Sequence, residues 1–202
     1  MTIDTKDLIN SILESVSRID YISPEDIPNI DLYMDQVTTF MDEHLKVSKR
    51  YPEDKILTKT MINNYAKNHL LPAPEKKKYS KEHLLLLIFI YYFKNIISIG
   101  DIETMLNPIT EKYFKKDGEI GLKEIYSQVF SMEKDQIEKL KESLLEEYQH
   151  SQKTFEDVNE EDRELLNIFS FICTLSFDIY VKKQIVERLI DSMKEKEKGK
   201  KK

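Results

Sequence analysis

Three side chains able to grip or read a nucleic acid recur at four-residue spacing in one short segment: Lys59, Asn63 and Lys67. On a helix, residues four apart share a face, and the two lysines fall within about 80° of one another around the axis. Asparagine can pair bidentately with an adenine edge, while lysine serves phosphate oxygens or guanine. Asn64 lies beside this stripe, and Met61, Ile62 and Tyr65 supply an apolar side that anchors the helix. Shortly afterwards Lys76, Lys77 and Lys78 stand together where a hairpin-sized connection could carry them to flanking phosphates.

Other candidate chemistry is weak. Lys115–Glu124 has the look of half a calcium loop, with Asp117, Gly118 and Glu124 in register. The earlier ligand positions fall on Tyr113 and Lys115, which bring no carboxylate, so a turn before a helix is expected. His44, His69, His83 and His150 are scattered, without metal-ligand spacing. The acid pairs Glu146-Glu147 and Glu160-Glu161 sit within helical charge runs, as solvated faces do. Gly-rich phosphate loops are absent from the sequence. The reading is therefore of a non-enzyme, without cofactor or metal.

The charge distribution singles out the lysine segment. The chain has a net charge of -6, yet Lys46–Lys81 holds ten lysines and arginines against three acids. Residues Met1–Leu45 carry ten acids against two bases. Such asymmetry points to a local polyanion-binding surface in an acidic protein. A lone Cys173 in an apolar run excludes a disulfide framework and reads as a small buried core side chain in a reducing compartment. The apolar run Leu84–Phe93 is too short to span a bilayer. Leu165–Phe177 is interrupted by polar residues. Both read as buried core helices of a soluble, cytoplasmic protein.

Few glycines and abundant Leu, Ile, Lys and Glu predict an all-α chain with at most a minimal two-stranded wing. Apolar spacing predicts helices over Thr5–Ile19 and Asp31–Leu45, and a single turn at Ser23–Asp26. Thr58 or Lys59 opens the short polar helix, which ends near Asn68. Leu70, Leu71 and Pro72 form its exit, and Lys76–Tyr79 the wing. Ser80 caps an apolar helix over Lys81–Asn95. Ser98 with Asp101 makes a capping box for a helix to about Leu106. Asn107-Pro108 marks a boundary. Helices over Leu122–Phe130, Lys134–Tyr148 and Glu160–Met193 follow. The expected organisation is thus an amino-terminal domain (1–107), a helical carboxyl-terminal bundle (108–193) and a disordered basic tail (194–202).

The order of short helix, Leu-Leu-x-Pro exit, wing and capped helix resembles MerR-like winged helix-turn-helix regulators. On that resemblance Tyr65 matches a tyrosine of the family pattern and Asn63 stands where arginine is usual. Tyr79 and Lys77 match wing positions, and Ile97–Ile102 matches the turn before the last short helix. His69 replaces a glycine, the wing lacks glycine, and the connection between the first two helices is longer. A closer similarity is to the bacterial family known as domain of unknown function 1836. Its pattern is met at Pro28, Asp31–Val37, Leu57-Thr58, Met61–Tyr65 and Pro72–Tyr79.

The MerR-like resemblance implies a DNA-binding transcription regulator. The helix 58–68 would enter the major groove, with Lys59, Asn63, Asn64 and Lys67 as contacts and Lys76, Lys77 and Lys78 on the backbone. It also implies that the carboxyl-terminal helices could supply a homodimer surface, although the buried centre of a bundle is the favoured reading of Leu165–Ile190. The rival reading is a protein-interaction module on the same scaffold without nucleic-acid binding.

Overall fold

The computed structural model describes residues 5–17, 22–116 and 120–200. In chain order its elements are α1 (Thr5–Ser17), β1 (Leu32–Tyr33), α2 (Met34–Leu45), α3 (Lys59–Lys67), β2 (Lys78–Tyr79), α4 (Lys81–Phe93), α5 (Ile99–Tyr113), α6 (Leu122–Ser151) and α7 (Glu160–Lys200). The chain is mostly helical with one two-stranded sheet, as its composition implied. It divides into two compact units, Met1–Ser131 and Met132–Lys202.

Helix α4 is the axis of the first unit. Every residue from His83 to Tyr91 is buried, so this helix has no solvent face and is enclosed by its neighbours. Around it α2 contributes Val37, Phe40, Met41 and Leu45, α3 contributes Ile62 and Tyr65, and α5 contributes Ile102 and Leu106. The first turns of α6 close the unit. Tyr126 is fully buried, its ring 5.4 Å from Phe89 and 4.1 Å from Phe130. Its hydroxyl donates to the Ile22 carbonyl at 2.7 Å. Burial raises the Tyr126 phenol strongly, and that of neighbouring Tyr92 to about 12, so both hydroxyls stay protonated donors.

The long connection between α2 and α3 is held at several points. It begins with a 3-10 turn, Lys46–Ser48. The Ser48 hydroxyl meets that of Tyr91, and Lys49 pairs with Asp42 at 2.7 Å. Lys94 donates to the Ile56 carbonyl at 2.8 Å, and burial holds its ammonium below the usual lysine range. Helix α2 starts later than the periodicity suggests because Leu32 and Tyr33 are extended, pairing with β2 before the helix opens.

Several boundaries differ from expectation. Helix α5 runs through Asn107-Pro108 to Tyr113, so the anticipated domain junction lies inside a helix. Proline removes one backbone donor there, but buried Ile102 and Leu106 fix the preceding turns and Phe114 still donates to Thr110. The helices expected over Leu122–Phe130 and Lys134–Tyr148 are one helix, α6. Likewise α7 continues to Lys200, so residues 194–200 of the tail expected to be disordered are helical. Lysine and glutamate are good helix formers, and Lys194 pairs with Asp191. Residues 201–202 of that tail, and 117–119 of the calcium-like segment, lie outside the described residues. Glu124 of that segment accepts from the Gly121 N–H at 2.9 Å, reaching back across the start of α6.

In the second unit the end of α6 and α7 form a helical hairpin. Asn159 caps α7, accepting from the Asp162 N–H at 2.9 Å. Phe171 packs edge-on against Tyr148 at 5.5 Å. Asn167 is buried for a local reason: its amide nitrogen, turned toward acceptors, reaches the Ser151 and Thr154 carbonyls at 3.1 and 3.0 Å, at the end of α6. The opposite side of α7 overturns the buried-core reading. Leu165, Phe169, Ile172, Phe177, Ile179 and Tyr180 are all exposed, as is Cys173, because one hairpin partner covers only one side of a helix. By length and composition alone, α7 would also be able to cross a membrane.

Candidate nucleic-acid interface

Helix α3 owes its limits to its own residues. Thr58 caps it, accepting from the Met61 N–H at 3.2 Å. At the other end Leu70 N–H donates to Tyr65 O at 2.9 Å and His69 N–H to Ala66 O at 3.3 Å. This is a Schellman closure, with His69 in the left-handed conformation at φ 60 where glycine is usual. Ile62 and Tyr65 face the core, and burial raises the Tyr65 phenol. Lys59, Asn63, Asn64 and Lys67 are therefore left on the exposed side. Lys59 is ion-paired with Asp35 on the first turn of α2.

The wing is a two-residue turn. Lys78 N–H donates to Glu75 O at 2.8 Å and Glu75 N–H to Lys78 O at 3.1 Å. Lys76 and Lys77 between them have φ of 51 and 64, both left-handed. Such a turn favours Asn-Gly, since a side chain with a Cβ is strained there. The double variant K76N/K77G is therefore expected to be more stable by about 1 kcal/mol, read from the urea midpoint. An unchanged or lower midpoint would show that the lysines are not strained.

The turn is held from both sides. Lys78 pairs with Tyr33 across the two strands, its ammonium 5.1 Å from the centre of the exposed Tyr33 ring. Glu75 takes an ion pair from Lys115 at 2.7 Å, which holds its carboxyl below and the ammonium above their usual ranges. Lys115 N–H donates in turn to Glu82 at 2.8 Å. Neither Tyr33 nor Lys115 was singled out by the sequence for this site. Their partners are distant in the chain, and no short-range pattern signals them.

His83 fixes the base of the wing. Its Nδ1 accepts from the Ser80 N–H at 3.0 Å and meets the Ser80 hydroxyl at 2.8 Å, in a capping box for α4. The ring lies edge-on to Tyr79 and Phe114. Burial pulls its pKa below the ordinary value of 6.5, and the nearby Ala73 and Pro72 carbonyls only partly oppose this. The unfolded chain thus takes up a proton that the folded ring refuses. Stability is complete above pH 6.5 and is expected to fall as pH drops below it, by at most about 1.4 kcal/mol per unit from this group. In H83Q that part of the slope should vanish from urea midpoints measured between about pH 7.5 and 5.5. An identical slope would exclude His83 as its source.

The seven residues marked by the sequence thus lie on two elements. Lys59, Asn63, Asn64 and Lys67 are on the outer side of α3. Lys76 and Lys77 are exposed at the wing tip, and Lys78 is half-buried beside Tyr33. Among the described residues, no group of three or more His, Cys, Asp or Glu could hold a metal ion. The pattern of the Domain of unknown function DUF1836 matches residues 22–129, more than half of the chain. The chain belongs to the DUF1836 family. The match begins at Ile22, whose carbonyl receives the Tyr126 hydroxyl, and ends just short of Ser131, the last residue of the first unit. The family region is thus nearly coextensive with that unit from Ile22 onward, and α7 lies outside it. No curated protein and no solved structure matches the chain.

Proposed function

We propose that this DUF1836 protein is a DNA-binding transcription regulator with a MerR-like winged helix-turn-helix. Helix α3 enters the major groove, where Asn63 and Asn64 meet base edges and Lys59 and Lys67 meet phosphates or guanine. Lys76, Lys77 and Lys78 hold the adjacent backbone. The observation that carries this reading is the wing tip. Two lysines occupy positions where Asn-Gly would be less strained, and both are exposed, as is the amide-lysine stripe of α3. A polyanion gives that placement a use that folding alone does not.

On DNA, Lys59 exchanges its Asp35 partner for phosphate, and both states are charge-paired. Lys67, Lys76 and Lys77 supply much of the sequence-independent affinity. Titration of duplex DNA at several salt concentrations tests the reading. A steep decline of affinity with salt is expected. No binding even at low salt would overturn it in favour of an interaction module.

A further inference from the structure

We propose that the cleft between the end of α6 and α7 binds a linear aliphatic diamine, with one ammonium held by the Glu147 carboxylate. Ser143, Glu147 and Ser151 recur every four residues on α6, and Ser170 and Thr174 are four apart on α7. Residues four apart share a helix face, and both rows line the same cleft. Their short side chains leave space where leucines would interlock, and the result is an opening of about 350 Å³ within the hairpin.

The cleft offers acceptors and almost no donors. Ser143 donates its hydroxyl hydrogen to Glu147 Oε1 at 3.2 Å, and Ser151 to the Tyr148 carbonyl at 2.7 Å. Thr154 donates to the Ser151 carbonyl at 2.6 Å, and Thr174 to the Ser170 carbonyl at 3.1 Å. A hydroxyl has a single hydrogen, so these side chains present only lone pairs to a ligand. The second carboxylate oxygen, Glu147 Oε2, is buried and has no hydrogen-bond partner among the described residues. A carboxylate oxygen withdrawn from water and left unpaired is costly, and a donor carrying positive charge satisfies it best.

Charge and chemistry narrow the ligand. The lining carries Glu146 and Glu147 and neither lysine nor arginine, which disfavours an anion. Among the described residues, no group of three or more His, Cys, Asp or Glu could hold a metal ion. An organic ammonium fits, because it brings three N–H donors on an apolar stem that can lie against the threonine methyls. Glu146 is exposed, so it supplies a second carboxylate at the rim for the second ammonium. His150 also lines the cleft, and in its neutral form it adds a further acceptor. The inference stands independently of the nucleic-acid reading.

Isothermal titration of the full chain with 1,4-diaminobutane at about pH 8 tests it. Saturable binding with one diamine per chain and a Kd below about 1 mM is expected, with butylamine weaker and 1,4-butanediol not bound. E147Q keeps the side-chain shape and removes the charge. It should weaken binding roughly ten- to hundredfold with unchanged helical circular dichroism. T174V leaves Glu147 in place and removes one acceptor from an exposed position, so a loss of about threefold is expected. E195Q makes the same charge change at an exposed position outside the cleft and should bind as the wild type does. Absence of heat up to roughly 10 mM diamine, or E147Q binding as tightly as the wild type, would overturn the site. So would equal binding of 1,4-butanediol, or unsaturable uptake that E195Q lowers as much as E147Q, the mark of general counterion attraction to an acidic chain.

Discussion

Replacing Lys76, Lys77 and Lys78 with alanine is expected to weaken duplex DNA binding by roughly 10–100-fold at moderate salt. It should also shrink the log–log salt slope by about 0.9 for each phosphate no longer neutralised. The effect follows from counterion release, which depends on how many phosphates the protein neutralises and little on base sequence. The wing tip projects Lys76 and Lys77 from a turn whose backbone is fixed at both ends by Glu75 and Lys78. Their charge is therefore presented at one place without a large ordering cost. Lys78 differs, because its ammonium already rests over Tyr33. It should contribute less to the slope than its neighbours.

N63A makes the contrasting measurement. Without the bidentate amide pairing to adenine, discrimination between sequences should fall by about 1–3 kcal/mol while the salt slope stays nearly unchanged. If the triple alanine variant binds with wild-type affinity and slope, the wing is not on DNA. If N63A weakens all sequences equally, α3 is not reading bases.

The second large effect is on stability. Y126A is expected to destabilise the chain by about 3–5 kcal/mol, the range for removing a large buried aromatic side chain. Y126F should cost about 1–3 kcal/mol, since the ring remains but the Ile22 carbonyl loses its donor. Tyr126 lies within the aromatic group of Phe89 and Phe130, and its hydroxyl reaches across to residue 22. One side chain thus fastens the first part of the family region to its last helix. Denaturant midpoints of the two variants separate packing from hydrogen bonding. A Y126F midpoint equal to wild type would mean that the Ile22 bond adds nothing to stability.

How much of this is legible in the sequence depends on the range of the interactions. The caps of α3, α4 and α5 can be read from Thr58, Ser80 and Ser98, since each acts within three residues. The burial of α4 follows from an unbroken apolar run. The exposed stripe of α3 follows from Lys59, Asn63 and Lys67 recurring at helical spacing. The wing is legible as a turn, but its strand partner is not. Leu32 and Tyr33 pair with Tyr79 and Lys78 across much of the first unit's sequence, and that pairing also shortens α2. Lys115 has the look of part of a failed calcium loop, yet in the fold it holds Glu75.

By itself the sequence determined where helices form, how most of them begin and where positive charge concentrates. Those properties arise from backbone bonds and side-chain caps within one or two turns. Only the tertiary structure decided which apolar faces were covered. Leu84–Tyr91 and Leu165–Phe177 are similar in composition, yet the first is enclosed on all sides and the second has one helical neighbour and an open face. Hydrophobicity sets the drive to be buried, while the number of neighbouring elements sets whether that drive is met within one chain. Within the second unit the drive is not met for α7, and Cys173 is exposed with it.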